Sequence, residues 1–175
     1  GHIKHAIAVE ATMRYFADRM GGDVEKWGMA GLLHDIDWEK MQSTPERHTL
    51  EGARWLAEDG WPDDIVRAVL AHGWGMCSDT KPESDMEKVL YTIDELTGLV
   101  ITAALVRPSR SVQDLEVKSV KKKWKDKAFA RGVDRDLIVK GAEMIPMPLD
   151  EVIEWVIQAL RLVEPELGLG ESAGA

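Results

Sequence analysis

Residues 30–39 read AGLLHDIDWE, an apolar stretch that ends in an adjacent histidine and aspartate, His34 and Asp35. Asp23 precedes this stretch and is a favoured helix N-cap residue. The residues between Asp23 and the pair are mainly apolar, so a helix is predicted from Asp23 to His34. The His-Asp pair is therefore predicted at a helix end.

Helices are also predicted on both sides of this pair from capping residues and helix breakers. Ser84 and Glu87 form a capping box, and Thr44-Pro45 and Pro62 supply two further helix starts. No segment alternates strictly between apolar and polar residues, as a half-buried strand does. The sequence therefore predicts an all-α fold, a single-domain helical bundle. The predicted helices cover residues 3–20, 23–34, 44–58, 62–72, 84–106, about 119 onward, 134–145 and 148–163, with a weaker start at 111–114.

Length and composition limit the class of protein. The chain has 175 residues, 45% of them apolar and 30% charged, which suits one domain over residues 1–175. Residues 1–2 are consistent with a tag remnant, and residues 168–175 are predicted to form a disordered tail. No apolar run reaches the length of a membrane span and there is one cysteine, so we expect a cytoplasmic protein. A net charge of −9 disfavours a protein that wraps DNA.

Polar residues recur at positions where apolar ones would suit the predicted helices. His5, His34, His48 and His72 lie on different helices, and His48 is the one at the edge of its apolar stripe. Asp94 lies on an apolar stripe inside the helix of residues 84–106, where a carboxylate without a partner is costly. A single inward histidine usually finds a carbonyl or carboxylate partner. Four of them on separate helices, together with two aspartates, instead indicate a divalent metal site.

With these positions, the chain resembles the HD superfamily, which is named for an adjacent His-Asp pair that follows one histidine and precedes a distant aspartate. The segments that carry the resemblance are KHAIAVEATMRYFA, AGLLHDIDWE, RHTLEGARWL, VLAHGW and LYTIDELTGLV. The resemblance implies an HD-type helical domain and a metal-dependent hydrolase, either a phosphomonoesterase or a phosphodiesterase. This motif departs from the common HDIGK form, because Asp37 stands for the glycine and Trp38 for the lysine.

The resemblance also implies roles for individual residues. One metal ion would be held by four of them: His5, His34, Asp35 and Asp94. Asp35 and Asp94 would be the catalytic pair that fixes the geometry of the site. His48 and His72 match positions that hold a second ion in dinuclear members or contact substrate in others. The cofactor would be one or two divalent ions, such as Mn, Mg, Fe or Zn, which activate water and polarise a phosphoryl oxygen.

A small phosphorylated substrate, such as a nucleotide, needs positive charge beside its phosphate. Candidate cations are Lys121 and Lys122 on the lysine-rich helix, and Arg107 and Arg110 after the helix of residues 84–106. We favour Lys121, Lys122 and Arg107 as substrate-binding residues. The two lysines also fit a solvated helix face, because they share one side of their helix with other lysines.

Other polar and aromatic residues near the motif are candidates for acid catalysis and for substrate binding. Asp37, Glu39 and Glu51 are candidates for the general acid that protonates the leaving group. Trp38 and Trp74 lie beside motif residues and are candidates for stacking on a base. Sequence spacing selects none of the three acids.

Three functions are compatible with this pattern. The first is hydrolysis of a phosphate ester of a nucleotide or a similar small phosphorylated metabolite. The second is an iron-dependent oxygenase, because a few proteins that resemble this superfamily hold two irons with similar residues. The third is a binding module that keeps the fold and the metal but senses a ligand without turnover.

Overall fold

Nine α-helices and two short 3-10 helices form the regular structure of residues 1–170, the part of the chain that the computed structural model describes. This range contains no strand, only an isolated bridge between Trp74 and Ser78. The predicted all-α class is therefore confirmed. No helix in the described range combines the length and apolar character needed to cross a membrane. The helices are α1 (His2–Met20), α2 (Val24–Leu33), α3 (Trp38–Met41), α4 (Leu50–Glu58), α5 (Asp63–Ala71), α6 (Asp85–Leu105), α7 (Val117–Lys125), α8 (Arg135–Met144) and α9 (Leu149–Arg161).

Side-chain caps start several helices where the sequence predicts them. The Asp23 carboxylate accepts a hydrogen bond from the Lys26 amide at 3.1 Å at the start of α2. At α6, the Ser84 hydroxyl accepts from the Glu87 amide, and the Glu87 carboxylate accepts from the Ser84 amide, which completes the predicted capping box. These bonds satisfy amides that have no partner within the helix.

Helix α6 is the central element of the fold. It packs against α1, α8 and α9, and its residues Leu90, Ile93 and Leu96 are fully buried. Helix α1 lies along α2, so the start of α1, the end of α2 and the middle of α6 come together. These are the places that carry His5, His34 and Asp94.

The close contact between α1 and α2 depends on a glycine. A β-carbon added at Gly31 would lie 2.9 Å from the backbone oxygen of Val9. We expect Gly31→Ala to lower the free energy of unfolding by about 1–3 kcal/mol, because a backbone contact yields less readily than a side chain. Gly98→Ala is the control, since a β-carbon there meets nothing within 4 Å. Equal stability of the two variants in chemical denaturation would show that the contact of α1 with α2 does not require glycine at position 31.

The region of residues 38–58 differs from the prediction of one helix over residues 44–58. The short helix α3 lies before the predicted helix. Within the predicted range, a 3-10 turn covers Pro45–Arg47, and α4 begins only at Leu50. The predicted helix is interrupted at His48 and Thr49, and Thr49 has a φ of 69°. That left-handed conformation is rare for a β-branched residue, so capping and periodicity do not predict the break. His48 therefore lies outside the helix, and its ring contacts Asp35 and Asp37, which follow α2.

The structure also differs from the prediction at residues 111–114 and at the start of the predicted tail. No helix forms at 111–114, because the Glu164 carboxylate accepts hydrogen bonds from the Ser111 hydroxyl at 2.7 Å and the Val112 amide at 2.6 Å. The first residues of the predicted disordered tail instead pack against the rest of the fold. Leu169 is buried, and the Gly170 amide donates a hydrogen bond to the Arg110 carbonyl at 2.7 Å. The remainder of that predicted tail, 171–175, lies outside the described residues.

Candidate metal centre

Four polar side chains from three helical regions converge on one point. Each offers one ligand atom: Nε2 of His5, Nε2 of His34, Oδ2 of Asp35 and Oδ1 of Asp94. The Asp94 oxygen lies 2.8 Å from His5 Nε2 and 3.0 Å from His34 Nε2. The two imidazole nitrogens are 3.2 Å apart, and Asp35 Oδ2 is 3.3 Å from His34 Nε2 and 3.6 Å from His5 Nε2. We call this group the first set.

A second group of ligand atoms adjoins the first set and shares Asp35 with it. The other carboxylate oxygen of Asp35, Oδ1, lies 3.1 Å from His48 Nε2 and 3.3 Å from His72 Nε2. We call Asp35, His48 and His72 the second set, and both sets together the His-Asp cluster. Asp35 therefore lies between two groups of imidazole nitrogens and would be shared by both sets if each held an ion.

Hydrogen bonds at Nδ1 fix the orientation of three of the rings. His34 Nδ1 lies 2.6 Å from the Gly31 carbonyl, and His72 Nδ1 lies 2.5 Å from the carbonyl of Val69. His48 Nδ1 lies 2.5 Å from Asp37 Oδ1. When Nδ1 carries the hydrogen, a neutral ring points the Nε2 lone pair at the carboxylate oxygens of the cluster. Two lone pairs that face each other need a cation or a proton between them.

The spacing of these atoms suits a coordinated cation. Ligand atoms about 2.1 Å from an ion lie about 3.0 Å apart at an octahedral right angle and about 3.4 Å apart in a tetrahedron. The distances in the first set, 2.8 to 3.6 Å, fall around these values. Imidazole nitrogen mixed with carboxylate oxygen suits Mn, Fe or Zn better than Ca. The residues present thus fit a divalent metal.

Protonation shows how strongly the cluster attracts positive charge. Burial would lower the pKa of His34, but the Asp35 and Asp94 carboxylates outweigh it and raise this pKa well above the usual value. In the same way, Asp35 and Asp37 outweigh burial and raise the pKa of His48 to about 9. Burial opposes ionisation of Asp35 and Asp94, yet the histidines hold the pKa of both carboxyls below its usual range.

The raised pKa of His48 predicts a pH dependence of the metal-free protein. Because the folded-state pKa of about 9 exceeds the unfolded value of about 6.5, the proton on His48 stabilises the fold fully below about pH 6.5. We expect chelator-treated protein to lose about 2–3 kcal/mol of unfolding free energy as pH rises from 6.5 through 9. Denaturant titrations at several pH values measure this loss. An equal loss in His48→Gln would contradict the assignment to His48.

The expected general acids have different surroundings. Asp37 is fully buried and accepts hydrogen bonds from His48 Nδ1 and, at 2.8 Å, from the Gly52 amide. These bonds overcome burial and lower the pKa of Asp37, so it is a poor proton donor. Glu51 is paired with Arg47 and Arg54, which also lower its pKa. Only Glu39 of the three lines a cavity beside His5.

The cations that the sequence favoured for substrate binding contact other residues. Lys121 Nζ lies 2.8 Å from the Asp150 carboxylate, and Arg107 pairs with Asp114 at 3.3 Å. Lys122 is exposed on α7. Within residues 1–170, no ion pair or hydrogen bond joins these three side chains to the His-Asp cluster.

Glu95, next to Asp94, is a partly buried acid that the sequence does not distinguish. Its Oε2 atom is buried without a hydrogen-bond partner, and burial raises the pKa of Glu95 to about 7 with help from Asp94 and Asp134. Glutamate is common inside helices, so the sequence does not mark Glu95 as a residue of a functional site. The other carboxylate oxygen of Glu95, Oε1, accepts a hydrogen bond from the Asp134 amide at 3.4 Å.

Two cavities flank His5, whose side chain is the most exposed of the cluster at 30%. The larger, of about 450 Å³, is lined by His5, Trp38 and Glu39, with His2 and Gln42. The smaller, of about 350 Å³, is lined by His5 and by residues that include Lys4, Gly98 and Arg110. Trp38 is 37% exposed and its ring centroid lies 5.1 Å from that of His48. Trp74 packs near Tyr91 and under Lys140, and it lines neither cavity. Of the two tryptophans, Trp38 is therefore the one that lines a cavity beside His5.

Comparison with known proteins identifies a family and several relatives of this chain. A family model described as HD domain matches residues 3–99, more than half of the chain. A Ribonuclease Y of Desulfotalea psychrophila is 30% identical over 147 residues, which are 82% of this chain and 27% of that protein. A Ribonuclease Y of Thermotoga petrophila is 33% identical over 70 residues, 40% of this chain and 14% of that protein. The chain thus spans about a quarter or less of the length of these relatives.

Proposed function

This chain belongs to the HD-domain family, a superfamily of metal-dependent phosphohydrolases, and on that premise we propose that it hydrolyses phosphate esters of nucleotides or similar small phosphorylated metabolites. The proposal includes two ion positions, one at the first set and one at the second set. The observation that carries it is the placement of Asp35, whose two oxygens each face a separate group of imidazole nitrogens.

In this proposal, the side chains of the His-Asp cluster and of Glu39 have different roles. A divalent ion held by the cluster would activate water and polarise a phosphoryl oxygen. Asp35 and Asp94 keep their negative charge at neutral pH because their pKa values are lowered, so they are available as ligands. His5 is the ligand that borders both cavities, so substrate reaches the cluster beside it. Glu39 lines one of these cavities and is our candidate for protonating the leaving group.

The cavities and the charge of the chain favour a small substrate. Volumes of about 450 and 350 Å³ lie in the range of about 300–1,000 Å³ that small-molecule sites occupy. Trp38, on the wall of the larger of these two cavities, is our candidate for stacking on a nucleobase. The net charge of −9 disfavours extended contact with a polyanion.

The test is turnover of a defined panel by the full chain loaded with Mn, Mg, Fe or Zn in turn. The panel contains nucleoside monophosphates, cyclic nucleotides, a generic aryl phosphate and a generic aryl phosphodiester. Short RNA is included because the relatives carry the name Ribonuclease Y. We expect metal-dependent release of phosphate or alcohol from a small ester, and loss of this release in Asp35→Ala. Turnover of RNA alone would reject the small-substrate part of the proposal.

Two other outcomes identify the alternative functions. Two redox-active irons per chain, with oxygen-dependent consumption of an organic substrate and no ester hydrolysis, would identify an oxygenase instead. Bound metal and ligand binding without turnover of any panel member would identify a sensing module. Strictly anaerobic assays separate the first outcome from hydrolysis, because hydrolysis needs no oxygen.

A further inference from the structure

The smaller cavity beside His5 has a cationic wall. It has a volume of about 350 Å³, and its lining includes Lys4 from α1, His5, Gly98 from α6 and Arg110 from the loop after α6. We call it the cationic cavity. The larger cavity on the other side of His5 carries the acidic Glu39 instead. An anionic group that enters beside His5 is therefore drawn to the cationic cavity.

The two cations of this cavity have no structural partner that would explain them. Within residues 1–170, the side chains of Lys4 and Arg110 make no ion pair or hydrogen bond. Arg107, one turn earlier, is in contrast paired with Asp114. In a chain with nine more negative than positive charges, two unpaired cations on one cavity wall are available to a ligand.

A glycine keeps the cavity open. Gly98 lies one helical turn after Asp94, so it is on the side of α6 that faces the cluster. A β-carbon at Gly98 would meet no atom within 4 Å, so no packing contact requires glycine at this position. Glycine inside a helix costs up to about 1 kcal/mol relative to alanine. The open space beside Gly98 is instead part of the cationic cavity.

We propose that the cationic cavity is a binding site for a second phosphate group of the substrate, held by Lys4 and Arg110. This inference rests on the proposed function, in which the reacting phosphate lies at the His-Asp cluster. It narrows the substrate class to esters that carry another phosphate near the reacting one, such as a nucleoside bisphosphate or the phosphorylated end of an oligonucleotide. Lysine and arginine are the side chains suited to this role, as charged donors to phosphate oxygens.

The test compares two probes that the chain cannot hydrolyse, methylphosphonate and ethylenediphosphonate, by calorimetric titration of the metal-loaded full chain. We expect the diphosphonate to bind about tenfold more tightly in the wild type. The double variant Lys4→Ala/Arg110→Ala is expected to lose this preference while its affinity for methylphosphonate stays unchanged. Arg110→Lys should retain part of the preference, because it keeps the charge. Gly98→Leu should lose it without loss of thermal stability, because its side chain fills the cavity.

The control is Lys127→Ala, which removes an exposed cation that does not line the cavity. An equal loss in this control, or an equal loss for both probes in the double variant, would overturn the proposed subsite. Ester turnover is measured in parallel on the same protein. Turnover without a diphosphonate preference rejects the subsite alone. A preference that depends on Lys4 and Arg110, without any turnover, rejects the proposed function and retains the subsite.

Discussion

Replacing Asp94 with alanine is expected to remove the ion of the first set and to lower phosphate-ester hydrolysis at least about a thousandfold. The Asp94 carboxylate lies within 3.0 Å of both His5 Nε2 and His34 Nε2, and its pKa is lowered, so it supplies a fixed negative charge. Without it, two imidazoles face each other with only Asp35 to complete the set. Metal analysis after dialysis and steady-state kinetics measure the two effects.

Stability must be separated from chemistry in this experiment. Asp136→Ala is a suitable control, because Asp136 is an exposed aspartate in the first turn of α8. We expect it to keep both metal content and turnover. Asp94→Glu retains the charge but moves the carboxylate, so we expect it to recover metal binding more than turnover. Full activity in a folded Asp94→Ala protein would contradict the assignment of Asp94 as a ligand.

Replacing Asp37 with alanine is expected to remove the ion of the second set and to lower turnover about 10–100-fold. Asp37 belongs to neither ligand set. Its carboxylate accepts the His48 Nδ1 hydrogen, which orients His48 Nε2 toward Asp35. We expect Asp37 to act as a positioning residue, a role that would account for an aspartate at the glycine position of the common motif. The measurement is the number of ions per chain, supported by the EPR spectrum of the Mn-loaded protein.

A double-mutant comparison distinguishes positioning from general stability. If Asp37 acts through His48, then His48→Ala causes the same loss of one ion, and adding Asp37→Ala causes no further loss. The first-set ion should remain in all three variants. Retention of two ions in Asp37→Ala, or loss of both ions in a folded protein, would show that Asp37 does not act in this way.

The sequence predicts the helices and the polar residues of the cluster because both leave local patterns. The caps at Asp23 and Ser84 start helices where they are expected, and an aspartate inside an apolar stripe marks Asp94. Such signals depend on residues a few positions apart. They do not depend on the final packing of the bundle, so they are visible without it.

The features that the sequence did not predict depend on contacts between distant segments. Lys121 lies on a lysine-rich face, but its partner, Asp150, is on another helix. Lys4 and Arg110 are more than a hundred residues apart and become neighbours only when the start of α1 meets the loop after α6. The break at Thr49 is a backbone conformation that its side chain disfavours, so local propensity predicts the opposite.

Anomalous X-ray diffraction from crystals of the Mn-loaded chain tests directly whether the His-Asp cluster is a metal centre. We expect one anomalous peak among His5, His34, Asp35 and Asp94, and a second among Asp35, His48 and His72. Crystals grown with Mn that show no anomalous density at the cluster, with imidazoles and carboxylates joined only by protons, would contradict this assignment.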